Sequence, residues 1–132
     1  MKRTIMKQLI LAIDDAQIMQ LLLKNVLSSK YNIVVKHDGE EALEWLMEGN
    51  YPDLIIADLH MPFLNGKIFI ENLQVSGLWR DIPIVILTSA TDAEIADLGE
   101  KTKLLIRKPF NPRYLHEKLD QLLSVNKQQT DK

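Results

Sequence analysis

Four apolar runs in this chain lead into residues able to do chemistry. "QLILAI" (8–13) meets Asp14-Asp15, "DLIIA" (53–57) meets Asp58, "IPIVIL" (82–87) meets Thr88-Ser89, and "KLLI" (103–106) meets Arg107-Lys108-Pro109. Ending a buried run on a charge has a desolvation cost, so Asp58 raises a question. Each residue alone has an ordinary reading: Asp15 as a helix cap or turn residue, Thr88 as a strand residue, Lys108 as solvated surface, Asp58 as the start of a loop. Brought together, they form a different object. Three converging carboxylates repel one another, and a divalent hard cation held by oxygen ligands offsets that; Mg²⁺ suits a site with few carboxylates and retained waters. A hydroxyl and an ammonium beside a metal-bound carboxylate make a cradle for a phosphoryl group, whose transfer depends on positioning and charge neutralisation. Asp58 is chemically able to be the nucleophile, giving an aspartyl phosphate.

Convergence requires elements that bring these ends together. The four runs and "IVV" (33–35) read as five strands. Between and after them lie helix-period stretches. Residues 17–28 carry Ile18, Leu21, Leu22, Asn25 and Val26 at helical spacing. "DGEEALEWLMEG" has Asp38 as N-cap, Glu41 at capping-box spacing and Gly49 as a stop. Asn65 caps a helix from Gly66 to about Val75, with Gly77 able to end it, and Thr91 with Glu94 opens a short helix to about Gly99. Asn111 followed by Pro112 starts a last helix to about Ser124. Strands apolar throughout call for a parallel sheet covered on both faces. With right-handed crossovers, the fold class expected is α/β, a flavodoxin-like doubly wound five-stranded parallel sheet of order 2-1-3-4-5 with five helices. In that order Asp58 lies between the acidic pair and the hydroxyl, with Lys108 one strand further and long enough to reach.

The 132 residues suit one domain, 1–132, with a core at about 8–124 and a polar, frayed tail at 125–132. Hydrophobic residues make up 46% and charged residues 26%, enough for a core in a soluble protein. A net charge of −2 supplies no basic field for nucleic acid and no polybasic membrane signal. No apolar run approaches the roughly 20 residues of a membrane span, and the basic start "MKRTIMKQLILAIDD" reads as a strand entry rather than a signal peptide. The absence of cysteine excludes disulfides and thiolate metal sites and fits a reducing cytoplasm.

The ordered set "AIDDA", "DLIIADLHMPFLNG", "IPIVILTSA" and "RKPFNP" resembles the receiver domain of two-component response regulators, in its stand-alone, chemotaxis-receiver-like form, over about residues 8–124. The resemblance implies phosphoryl transfer from a histidine kinase phosphohistidine, or from a histidine phosphotransfer protein, to Asp58. It implies Mg²⁺, replaceable by Mn²⁺, on Asp15, Asp58 and the backbone carbonyl of His60, with Asp14 assisting through water. Thr88 and Lys108 then contact the phosphoryl oxygens. It further implies a cytoplasmic signalling protein, not an enzyme, that assists its own phosphorylation and dephosphorylation and signals through a downstream protein, without direct nucleic-acid or membrane binding. A cis peptide at Lys108–Pro109 belongs to the same pattern. Leu105 departs from it: receivers usually carry an aromatic switch residue three positions before the lysine. The Thr88-to-Lys108 stretch is also a little short for the family, and Ala90 does little to orient a hydrolytic water. The His60 side chain is expected to tune dephosphorylation rather than bind metal.

Other residues take structural roles: His37 and His116 at the surface, Trp45 partly in the core, Trp79 anchoring a loop, and Met19, Met47 and Met61 as packing. Three competing functions meet specific obstacles. An aspartyl phosphohydrolase of the haloacid-dehalogenase kind wants an acid/base Asp two residues after the nucleophile, where His60 stands. A flavin-binding protein wants a Ser/Thr/Gly-rich phosphate loop where Asp14-Asp15-Ala16 stands. A phosphorylation-independent interaction module is opposed by the presence of all five site residues and is left open by Leu105 alone.

Overall fold

The computed structural model describes residues 7–61, 65–96 and 104–130, with side chains of the last helix described as far as Ser124. The elements are β1 (Leu9–Ile13), α1 (Gln17–Leu27), β2 (Asn32–Lys36), α2 (Gly39–Met47), β3 (Leu54–Ala57), α3 (Gly66–Val75), β4 (Ile84–Thr88), α4 (Asp92–Ala96), β5 (Leu104–Arg107) and α5 (Pro112–Thr130). The strands form one sheet of order β2-β1-β3-β4-β5, and all four pairings are parallel. This is the flavodoxin-like arrangement read from the chain.

Successive strand residues point to opposite faces, and here both faces are apolar. Leu11, Ile13, Ile55, Ala57, Ile84 and Ile86 pack under α2 and α3 with Leu46, Phe69, Ile70 and Leu73. Ile10, Ala12, Leu54, Ile56, Val85 and Leu87 pack under α1 and α5 with Leu23, Leu27, Leu115 and Leu119. Ile95 of α4 and Leu105 of β5 are partly buried against the first of these layers, as are Trp45 and Trp79. Met19 lies against the second layer, and Met61 is buried in the first.

The caps form as the residue types dictate. Asp38 accepts from the Glu41 N–H at 2.9 Å, and Glu41 returns a bond from the His37 N–H at 3.0 Å. Asn65 accepts from the Ile68 N–H at 2.9 Å. Thr91 and Glu94 exchange backbone and side-chain bonds at the start of α4. Gly49 follows α2 with a φ of 104°, which an L side chain seldom adopts. The Lys108–Pro109 peptide is cis, as the resemblance implied.

Several expectations need correction. Met47 does not pack: it is 68% exposed, because the buried stripe of α2 runs through Gly39, Ala42 and Leu46 and position 47 lies off it. The tail is helical rather than frayed as far as Thr130, since "VNKQQT" contains no glycine or proline to stop a helix made largely of good formers. α3, by contrast, runs from Gly66 to Val75 as expected. β4 starts at Ile84 and takes in Thr88, which pairs with Arg107. β2 is longer than "IVV" by a residue at each end. The expected start of the fifth strand at residue 103 and the end of the fourth helix near Gly99 lie outside the described residues. His37 is exposed and bonded to Gln20, as a surface residue should be. His116 is half-buried and bonded through Nδ1 to Asp120 at 3.0 Å.

Candidate functional site

Parallel strands in register deliver their carboxyl ends to one edge. Ile13 pairs with Ala57 and Ala57 with Ile86, so Asp14 and Asp58 leave neighbouring strands side by side, with Thr88 on the next. Backbone bonds hold them there: the Asp14 N–H donates to the Lys36 carbonyl at 3.1 Å, the Asp58 N–H to the Ile13 carbonyl at 3.3 Å, and the Lys108 N–H to the Thr88 carbonyl at 2.9 Å.

Asp14, Asp58 and Thr88 are all buried. Asp58 Oδ1 accepts from the Thr88 hydroxyl at 2.5 Å and from the His60 N–H at 3.1 Å. Asp58 Oδ2 lies 2.8 Å from Lys108 Nζ, which also donates to Asp14 Oδ2 at 2.6 Å. Asp14 Oδ1 accepts from the Ala16 N–H at 2.9 Å. No described buried side-chain polar atom lacks a partner. Burial alone would push the Lys108 ammonium down. The hydrogen bonds and charges of Asp14 and Asp58 more than offset this and hold it above the ordinary lysine value.

The structure thus joins Asp14, Asp58, Thr88 and Lys108 in one hydrogen-bonded group. Asp15, counted in the sequence with the converging carboxylates, is exposed beside it. Among the described residues no three His, Asp or Glu side chains form a ready-made metal cage. The donor set still fits Mg²⁺: two buried carboxylates share a single ammonium, leaving an excess of negative charge. Hard oxygen donors in small number are what a water-retaining Mg²⁺ site uses.

The His60 side chain turns away from Asp58 and pairs through Nε2 with Glu94 Oε2 at 2.6 Å. That bond raises the His60 pKa, while the bonds from His60 and Thr91 lower Glu94 to about 2. With Leu59, Met61, Asn65 and Lys67 these two residues line a cleft of about 330 Å³ next to the site. Glu94 was legible only as a capping residue, and nothing local announced its partner. Gly66, read only as the start of a helix, lies tight against the backbone of Asp58: a Cβ there would lie 2.3 Å from the Asp58 carbonyl oxygen. Leu105 is half-buried, in register with Ile86.

The family model "Response regulator receiver domain" matches residues 10–120. The chain belongs to the response regulator receiver domain family. It is 31% identical over 121 residues to chemotaxis protein CheY1 of Helicobacter pylori, covering 89% of this chain and 98% of that protein. It is 30% identical over 118 residues to sensor histidine kinase TmoS of Ectopseudomonas mendocina, covering 88% of this chain but only 12% of that much longer protein. Among solved structures, the signal receiver domain of a signal transduction histidine kinase from Syntrophus aciditrophicus superposes with a TM-score of 0.81 at 29% identity, covering 89% of this chain and 90% of that one. The receiver domain of sensor histidine kinase PA1611 from Pseudomonas aeruginosa shares the fold, with a TM-score of 0.80 at 24% identity over 89% of this chain and 98% of that one. That structure holds a magnesium ion coordinated in its active site cleft. Receiver domains are signalling modules of two-component systems, found both as CheY-like proteins and within sensor histidine kinases. No described helix of this receiver is long and apolar enough to cross a membrane.

Proposed function

We propose that this receiver is a phosphorylation-dependent switch or phosphorelay carrier whose acceptor is Asp58. The observation that carries this is the single hydrogen-bonded group of Asp58, Thr88, Lys108 and Asp14 at the carboxyl edge of the sheet. The donor is a phosphohistidine on a histidine kinase or a histidine phosphotransfer protein, and the output is contact with a downstream protein. The setting is the cytoplasm, and residues 1–132 act as one receiver unit.

A carboxylate oxygen of Asp58 forms the new O–P bond as the N–P bond of the phosphohistidine breaks, and the imidazole nitrogen leaves with the electron pair. The strand end aims Asp58, and the His60 N–H fixes one of its oxygens. The Thr88 hydroxyl and the Lys108 ammonium, both now bonded to Asp58, exchange that carboxylate for phosphoryl oxygens and hold their charge. Asp15, Asp58 and the His60 carbonyl would hold Mg²⁺, with Asp14 assisting through water. The bound ion supplies neutralisation of the phosphoryl charge that one ammonium cannot provide alone. Mn²⁺, with the same taste for oxygen ligands, substitutes. Transfer is a signalling event rather than turnover of a substrate.

Incubation with acetyl phosphate and Mg²⁺, followed by intact mass, tests the proposal. One phosphoryl group is expected on the parent protein, none on Asp58→Asn, and none in excess EDTA. Equal labelling of the variant, or labelling without a divalent ion, would defeat it.

A further inference from the structure

Arg107 is the last residue of β5, directly before Lys108, and has no part in the acceptor group. Lys108 turns into the site, while Arg107 turns to the loop between β4 and α4. Its Nη1 donates to the Ala90 carbonyl at 3.2 Å, and its Nη2 pairs with Asp92 in the first turn of α4. The other side of Ala90 meets the site directly, because its N–H donates to Thr88 Oγ1 at 3.1 Å. Arg107 and Thr88 are also register partners across the β4–β5 ladder.

We infer that Arg107 is a positioning residue for the acceptor site: by holding the Ala90 carbonyl it fixes the Ala90 backbone from its carbonyl side, and so the N–H on the preceding peptide that sets the direction in which the Thr88 hydroxyl donates. The inference rests on the acceptor reading above. A hydroxyl has one hydrogen to give and two lone pairs. With the Ala90 N–H on a lone pair, the hydrogen is left to point at Asp58, whose Oδ1 lies 2.5 Å from Thr88 Oγ1. Release of the Ala90 carbonyl frees the backbone torsions at Ala90, and with them the N–H on the preceding peptide that aims the Thr88 hydroxyl.

Stability is not the reason for this arrangement. The Arg107 side chain is half exposed and that of Asp92 is 92% exposed, and exposed ion pairs contribute little. The geometry does need an arginine. Two N–H groups of one planar fork reach two acceptors, whereas a lysine ammonium is a point charge on a flexible stem.

The test measures the initial rate of labelling by acetyl phosphate with Mg²⁺ in the full chain, with urea melts alongside. Arg107→Met should slow labelling roughly tenfold, the size expected for loss of a charge-assisted hydrogen bond, with an unchanged urea midpoint. Arg107→Lys should fall between the two, and Asp92→Asn should label close to the parent rate. In a Thr88→Ala background Arg107→Met should add no further loss, because the arginine acts through the hydroxyl. Labelling of Arg107→Met at the parent rate overturns the inference. So does the same fractional loss with and without Thr88, or a fall in the urea midpoint large enough to mark a structural role. A parent protein that takes no label defeats the acceptor reading instead. The positioning inference is then decided in ¹⁵N-labelled protein: Arg107→Met must displace the Ala90 amide resonance, and a resonance that stays in place overturns it.

Discussion

Gly66 illustrates how much one missing atom does at the scale of a residue. A Cβ at this position would meet the Asp58 carbonyl oxygen at 2.3 Å and Leu59 Cα at 2.7 Å. Both obstacles are backbone, so neither can swing aside as a side-chain tip could. The N-terminus of α3 therefore sits against the backbone of Asp58, held by the Gly66 N–H bond to the Leu59 carbonyl at 3.1 Å. Gly66→Ala should push the two apart, lowering stability by about 1–3 kcal/mol as overpacking does, and should slow acetyl phosphate labelling because Asp58 moves. Urea melts and labelling rates check both effects. An unchanged midpoint would mean that the loop yields freely.

At the scale of elements, α5 is tied to the start of β2 by a polar cluster on an otherwise apolar face. The buried Tyr31 donates through its hydroxyl to Asp120 Oδ1, while Lys30 Nζ reaches the same oxygen at 3.3 Å and His116 Nδ1 reaches Oδ2 at 3.0 Å. Burial and then Asp120 raise the Tyr31 pKa well above its usual value of 10.0. Burial would also raise Asp120, but the bonds from Tyr31 and Lys30 outweigh it and hold the carboxyl below its usual value. The two shifts act at opposite ends of the pH scale. The folded protein keeps the tyrosine proton that the unfolded chain releases near pH 10; this contribution is full below that pH and is lost as pH rises through the folded value. The Asp120 contribution is present above the unfolded carboxylate value and is lost as pH falls through the lowered one. Tyr31→Phe should lower stability by about 1 kcal/mol at neutral pH, the ordinary worth of one hydrogen bond, and its melts should decline less between pH 9 and pH 11 than those of the parent.

For the whole molecule, the parallel sheet gathers negative charge at one edge. Asp14 and Asp58 share Lys108, and Asp15 stands beside them. A divalent cation that binds this edge binds only the folded state, since the unfolded chain cannot assemble it. Mg²⁺ should therefore stabilise the protein by RT ln(1 + [Mg²⁺]/Kd), about 1.4 kcal/mol at ten times Kd, and should stabilise Asp58→Asn much less. Urea melts of both proteins with and without Mg²⁺ measure this. Equal shifts in the two would place the ion away from Asp58.

The order and type of the elements were legible in the chain because they depend on local rules. Apolar runs of strand length, the helical spacing along 17–28, the capping pairs Asp38 with Glu41 and Thr91 with Glu94, and the Asn111-Pro112 start each act within a few residues. The apolar character of both strand faces then restricted the sheet to a covered parallel one, and strand ends at one edge gave Asp14, Asp15, Asp58, Thr88 and Lys108 as neighbours, of which Asp15 stays exposed outside the hydrogen-bonded group. What lay beyond the sequence is what depends on direction in three dimensions. That Lys108 bridges two carboxylates, that His60 turns outward to a glutamate 34 residues away, and that Arg107 grips the Ala90 carbonyl 17 residues back are set by side-chain rotamers and by which strands are neighbours. The exposure of Met47 followed from its angle on the helix, and the tightness at Gly66 from how closely one helix end meets a strand end. Spacing along a chain reports periodicity, but it does not carry the distance between two backbones that meet only after the sheet has formed.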